Sequence, residues 1–130
     1  MSDKVLMVMP PPVARAMIEK IRCADAGLEI ITASCPEKGL VTWEKFLAEG
    51  DPFPIVITAR YFDEGFPLDP WEMIRAIRAA CPKTKIIAPT MVNPEVEMRA
   101  FQRVDPLVIT FAMTSRDHYH LLVETVMASN

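Results

Sequence analysis

The chain has 130 residues, 51% of them apolar, which predicts one domain over residues 1–130 with a hydrophobic core. Its net charge of −3 and its scattered basic residues exclude a stripe for nucleic acid, and no apolar run approaches the roughly 20 residues that span a bilayer. With no signal peptide and three widely spaced cysteines, we expect a soluble, cytoplasmic protein with reduced thiols.

The first third of the chain alternates a strand-like, a helix-like and a second strand-like pattern. The run "KVLMVM" (4–9) is short and continuously apolar, which is typical of a strand buried on both faces. Segment 13–27 has apolar residues at helical spacing and reaches Gly27, a residue that favours helix termination. The β-branched run "LEIITAS" (28–34) predicts the second strand.

The middle of the chain continues the alternation. Thr42 is predicted to cap a helix, "TWEKFLAEG", that stops at Gly50. The run "PIVITAR" (54–60) predicts a third strand, with Pro54 at the first position, where a strand tolerates proline. A long connection follows, and helical spacing of apolar residues then predicts a helix over 71–82.

The last third contains two more strand–helix pairs. The run "TKIIAPTM" (84–91) predicts the fourth strand, and Asn93 with Pro94 marks the start of the next helix. The run "LVITF" (107–111) predicts the fifth strand, and Ser115 is the expected cap of the last helix.

Five short apolar strands that alternate with five helices predict an α/β fold with a parallel sheet covered on both faces. Five such units suit a single flavodoxin-like (βα)5 domain with strand order 2-1-3-4-5. In that topology the functional crevice lies at the carboxyl ends of strands 1 and 3, where the winding direction reverses. The loops at 9–12 and 59–70 are therefore the ones to examine for chemistry.

The first crevice loop carries no group typical of phosphate or cofactor binding. Phosphate loops need glycines that let backbone N–H groups approach the anion, and the four glycines of the chain lie elsewhere. The prolines of this loop also lack the N–H donor. A flavin loop rich in Ser, Thr and Gly, or a cobalamin-binding histidine, is likewise missing. We therefore expect no cofactor.

The chain resembles the receiver domains of bacterial response regulators, most sharply at three stretches. "VLMVMPPPVARAMIEKI" keeps the frame of the family's first strand and helix, with Pro12 at its proline. "PIVITA" matches the strand that ends in the phosphoaccepting aspartate. "DPWEMIRAIRAACPKTKIIAPT" matches the acidic residue, Glu72, and ends in Thr90 at the switch hydroxyl. The resemblance implies a CheY-like domain of a two-component phosphorelay.

The resemblance also implies that the phosphorylation pocket is degenerate. The acidic pair that holds Mg²⁺ falls on Met9 and Pro10, the phosphoacceptor on Ala59, and the lysine that closes strand 5 near Phe111. A hard cation needs several oxygen ligands, and phosphoryl transfer needs that cation. We therefore expect a pseudo-receiver that is no enzyme and holds no metal. Met9 and Phe111 would fill the pocket, and the Thr90 hydroxyl would bond to backbone.

Two alternatives remain open from the sequence. An acid displaced onto the crevice loop, Asp63 or Glu64, would serve as the phosphoacceptor and allow phosphotransfer. Alternatively, the apolar crevice would serve a flavodoxin-like small-molecule sensor or enzyme. Its expected lining is Met9, Ala59, Tyr61, Phe62 and Thr90.

By resemblance, the surface of helix 4, strand 5 and helix 5, at roughly 95–128, is where receivers dimerise or meet partners. The residues expected there are Met98, Arg99, Arg103, Asp105, Arg116, Asp117 and Glu124. Charges of both signs can form reciprocal salt bridges across a two-fold axis, as an isologous interface requires. The leading hypothesis is thus contact with a protein partner in a signalling pathway, or with a second copy, without nucleic acid or membrane insertion.

Overall fold

The computed structural model describes residues 4–60 and 70–128. The sheet has five parallel strands in the order β2-β1-β3-β4-β5, which confirms the predicted topology. The strands are β1 (Lys4–Val8), β2 (Glu29–Ala33), β3 (Ile55–Thr58), β4 (Lys85–Thr90) and β5 (Ile109–Ala112).

The helices cover both faces of this sheet, as predicted for a flavodoxin-like α/β fold. They are α1 (Pro11–Ala24), α2 (Pro36–Ala48), α3 (Trp71–Ala80), α4 (Pro94–Val104) and α5 (Tyr119–Met127). A short 3-10 helix, Arg116–His118, leads into α5. Helices α1 and α5 contact each other, whereas α2 contacts α3 and α3 contacts α4.

The central strands form the core. Every residue of β1, β3 and β4 is buried, whereas the two edge strands, β2 and β5, are partly exposed. This distribution explains why the central strands read as continuous apolar runs, because both of their faces are covered by helices.

The prediction for the start of α2 was wrong. The helix begins at Pro36 with Cys35 as its N-cap, so Thr42 lies inside it. The Thr42 hydroxyl donates to the Lys38 carbonyl one turn earlier at 2.8 Å, a bond that lets threonine sit within a helix. Proline is well suited to the first helical position, since its missing N–H has no partner there in any case.

Other element ends differ from the predictions by a few residues. Helix α1 ends at Ala24, and the Gly27 N–H donates to the Asp25 carboxylate instead of closing the helix. Asn93 precedes α4 as expected, but it has a left-handed φ of 46° and makes no side-chain cap bond. Ser115 likewise precedes the 3-10 helix without a side-chain cap bond.

A buried ion pair orders the turn between α4 and β5. The Arg78 Nε donates to Asp105 Oδ2 at 2.7 Å, and Asp105 Oδ1 accepts the N–H of Leu107 at 3.1 Å. Because this turn includes Leu107, strand β5 begins at Ile109 rather than at residue 107. Asp105 is buried, so its expected place on an exposed interface was wrong.

Candidate functional site

A cleft of about 220 Å³ lies at the carboxyl ends of the strands, where the strand order reverses. The described residues that line it are Pro10, Val13, Ala59, Arg60, Pro89, Thr90, Met91, Val92 and Glu97. They come from the ends of β3 and β4 and the starts of α1 and α4. The cleft is therefore in the region that the topology predicted.

Hydrogen bonds to backbone groups near the strand ends position the residues at the base of this cleft. The Ala59 N–H donates to the Val8 carbonyl at 3.2 Å, which keeps the chain beside β1 after β3 has ended. The Met113 N–H donates to the Thr90 carbonyl at 2.8 Å, and the Thr90 hydroxyl donates to the Phe111 carbonyl at 3.1 Å. The prediction that the Thr90 hydroxyl bonds to backbone is confirmed.

The structure brings together only some of the residues predicted for the degenerate pocket. Pro10, Ala59 and Thr90 line the cleft. Met9 is buried but lines a separate cleft of about 200 Å³ against α1 and β2. Phe111 is half-buried against the core and is not among the described lining residues. Its backbone carbonyl accepts the hydrogen bond from the Thr90 hydroxyl.

The charged pair in the cleft was missed by the sequence reasoning. Arg60 follows Ala59, and its Nε lies 3.0 Å from Glu97 Oε2 on α4. The Glu97 side chain is only 8% exposed and that of Arg60 25%. The available signal was that Glu97 precedes Phe101 by one helical turn, so both belong to the buried face of α4. No sequence spacing connects Glu97 with Arg60.

Aromatic rings complete this cluster. The Arg60 guanidinium carbon lies 4.5 Å from the centroid of the Trp71 ring, a cation–π contact at the start of α3. Trp71 in turn meets Phe101 of α4 edge-to-face, with ring centroids 5.1 Å apart. We call Arg60, Trp71, Glu97 and Phe101 the Arg60 cluster. It joins the end of β3 to both α3 and α4.

Four predicted residues of the crevice loop, Tyr61, Phe62, Asp63 and Glu64, lie outside the described residues. Within residues 4–60 and 70–128, no three His, Cys, Asp or Glu side chains are placed to hold a metal ion. The helices among those residues are all too short or too polar to cross a membrane.

The residues predicted for an interface are mostly at the surface. The exposed ones are Arg99 and Arg103 on α4, Arg116 and Asp117 before α5, and Glu124 on α5. Met98 is half-buried. Four large apolar side chains are exposed on the same stretch of chain, residues 95–128. They are Val96, Leu107, Ile109 and Met127.

Comparison with known proteins identifies the fold. No family model and no curated protein matches the chain. The chemotaxis protein CheY4 of Vibrio cholerae superposes with a TM-score of 0.69 at 20% identity, over 97% of both chains. The phosphorylated cyanobacterial phytochrome response regulator RcpA gives a TM-score of 0.76 at 9% identity, over 100% of this chain and 98% of that one. A CheY-like receiver domain protein of Methanospirillum hungatei gives 0.73 at 13% identity, over 97% and 91%. The chain thus has the fold of the CheY-like response-regulator receiver domains.

Proposed function

We propose that this chain is a cytoplasmic, receiver-like signalling module that acts by phosphorylation-independent contact with a protein partner and catalyses no reaction. The observation that carries the proposal is the chemistry of Met9, Pro10 and Ala59, which stand where the receiver resemblance expects carboxylates. A thioether, a pyrrolidine ring and a methyl group cannot supply the oxygen ligands that Mg²⁺ needs. Without that ion, the charge that develops in phosphoryl transfer is not neutralised.

The electrostatics of the cleft support the same proposal. Among the described lining residues Glu97 is the one carboxylate, and Arg60 already balances its charge at 3.0 Å. A divalent cation that approached Glu97 would meet the guanidinium at close range. Like charges in a partly buried site repel strongly, so this carboxylate is a poor substitute for a metal ligand.

Beryllofluoride with Mg²⁺, and separately acetyl phosphate with Mg²⁺, tests the proposal. Trp71 lies against Arg60, which lines the cleft, so the fluorescence of Trp71 should report a change at Arg60. We expect unchanged fluorescence with beryllofluoride and an unchanged intact mass after acetyl phosphate. A saturable response to either reagent would overturn the proposal. If Asp63→Asn abolished that response and Glu64→Gln kept it, phosphotransfer through the displaced acid Asp63 would replace it.

A second candidate function, small-molecule binding, is favoured by the shape and lining of the cleft. Pockets with apolar walls and a few polar groups are the usual sites for small ligands. The apolar walls here are Pro10, Val13, Pro89, Met91 and Val92.

Native mass spectrometry of the purified protein tests this second function. A co-purifying mass that is lost in Ala59→Trp, which fills the cleft, would support it. Val41→Trp is the matched control, because Val41 is exposed on α2 and lies away from the cleft. Protein that carries no ligand mass, or one that both variants retain, would count against the function.

A further inference from the structure

The Arg60 cluster links the cleft to α4. Arg60 reaches from the end of β3 to Glu97 in the first turn of α4, and Trp71 covers the guanidinium from α3. Trp71 also packs on Phe101, which lies one turn further along α4 and is fully buried. Helix α4 is therefore held at two successive turns by the same cluster.

The ion pair of this cluster is shielded from water. The two atoms that approach each other, Arg60 Nε and Glu97 Oε2, are both sealed from solvent. Removing one member of such a pair takes an opposite charge away from its buried partner, and this costs more than the loss of a surface ion pair. Displacement of α4 from β3 would have the same consequence.

The position of the cluster decides the orientation of the outer surface of α4. Glu97 and Phe101 lie on the buried face, and Arg99 and Arg103 lie on the exposed face of the same helix. The backbone bonds of the helix, beginning with the Glu97 N–H to the Asn93 carbonyl at 3.1 Å, make it move as a unit. An anchor on its inner face therefore also fixes its outer face.

We infer that the Arg60 cluster is a built-in lock that holds α4 in a single position without a phosphoryl group. Arg60 and Glu97 are positioning residues in this scheme, since they act through the helix rather than on a partner. The idea that a partner protein recognises α4 rests on the proposed function, whereas the claim that the cluster holds α4 in place does not. The exposed face of α4 would thus always be available to a partner protein in the same orientation.

Amide hydrogen exchange on Arg60→Met and Glu97→Gln tests the lock. The quantity to compare is the exchange rate of the α4 amides, Glu97 to Val104, divided by that of the α1 amides in the same variant. This ratio cancels any global loss of stability. We expect it to rise about tenfold or more, because a tenfold change corresponds to about 1.4 kcal/mol, less than the loss of one buried partner normally costs.

Lys4→Met is the matched control. Lys4 is a buried cation at the amino end of β1, where it pairs with Asp51 and lies 5.1 Å from the centroid of the Phe46 ring. This site is at the opposite end of the sheet from Arg60. The ratio should therefore stay at its wild-type value in this variant even if overall stability falls. An unchanged ratio in Arg60→Met and Glu97→Gln, or an equal rise in Lys4→Met, would overturn the lock.

The double variant Arg60→Met/Glu97→Gln checks that the two residues act on each other. Coupled residues are not additive, so the double variant should exchange no faster than the faster single variant. If the rise of the ratio in the double variant equalled the product of the rises in the two single variants, the direct pairing of Arg60 with Glu97 would be overturned. These outcomes are independent of beryllofluoride, so failure of the lock and failure of phosphorylation independence are separate results.

Discussion

Gly39 lies in α2 against β1, and a methyl group on it would have no room. An added Cβ would approach Val8 Cγ2 to 2.7 Å and Met73 Sδ to 3.0 Å. Val8 is fully buried and β-branched, so it has little freedom to rotate away. Glycine at this helical position is thus explained by close packing of helix on sheet rather than by backbone conformation.

We expect Gly39→Ala to destabilise the protein, although alanine favours helices over glycine by about 1 kcal/mol. Overpacking of a core typically costs about 1–3 kcal/mol, so the net loss should be about 1 kcal/mol in urea unfolding. In a Val8→Ala background the same substitution should cost less, because the contacting methyl groups are gone. An equal cost in both backgrounds would contradict the packing explanation.

At the scale of elements, β4 and α5 are joined by a buried lysine. Lys85 at the start of β4 donates from Nζ to the Thr125 carbonyl at 3.0 Å and to the Ala128 carbonyl at 2.6 Å. These carbonyls belong to the end of α5, where helix carbonyls have no partners within the helix and attract a cation. Burial nevertheless lowers the pKa of Lys85 from its ordinary value of 10.5.

This lowered pKa predicts a dependence of stability on alkaline pH. Between the folded pKa of Lys85 and 10.5 the unfolded chain binds more protons than the folded one, so stability rises with pH in that interval. The free energy of unfolding of the wild type minus that of Lys85→Met should therefore increase from about pH 7 to about pH 10. Every other group is common to both proteins, so its contribution cancels in this difference. A difference that shrinks with pH would mean that the carbonyls hold the ammonium more strongly than burial opposes it.

The elements also show which boundaries a sequence can give. The strands were predictable because continuous burial of β1, β3 and β4 leaves continuous apolar runs. The start of α2 was not, because threonine is a good cap and is also tolerated inside a helix when its hydroxyl bonds back to the preceding turn, as Thr42 does. Pro36 was the better indicator of the start of α2, because proline favours the first position of a helix.

At the scale of the molecule, the topology was predictable and the charges of the cleft were not. Alternating strands and helices leave few arrangements, and the crossover rules then fix the strand order and the position of the crevice. The Arg60–Glu97 pair depends instead on how closely α4 approaches β3. That approach depends on contacts between residues far apart in the chain, such as Trp71 with Phe101, which no local pattern encodes.

The surface formed by α4, β5 and α5 combines charges with exposed apolar side chains. Val96 is 62% exposed, Leu107 65% and Ile109 38%, and β5 is an edge strand with unpaired backbone groups on its outer side. Exposed apolar groups surrounded by charges of both signs are typical of protein interfaces. The Arg60 cluster would hold this surface in one arrangement.

We expect this surface to form a homodimer that is weakened by Arg99→Glu. Arg99 is exposed on α4, and reversal of its charge would place like charges together at a two-fold interface that pairs opposite ones. Sedimentation equilibrium over a range of concentrations should show a dissociation constant raised about tenfold, which is about 1.4 kcal/mol. Lys45→Glu is the matched control, because it makes the same charge change on an exposed residue of α2, away from β5. An equal effect of both substitutions would assign the weakening to net charge. A monomer at every concentration would exclude the homodimer and make a different protein the partner of this surface.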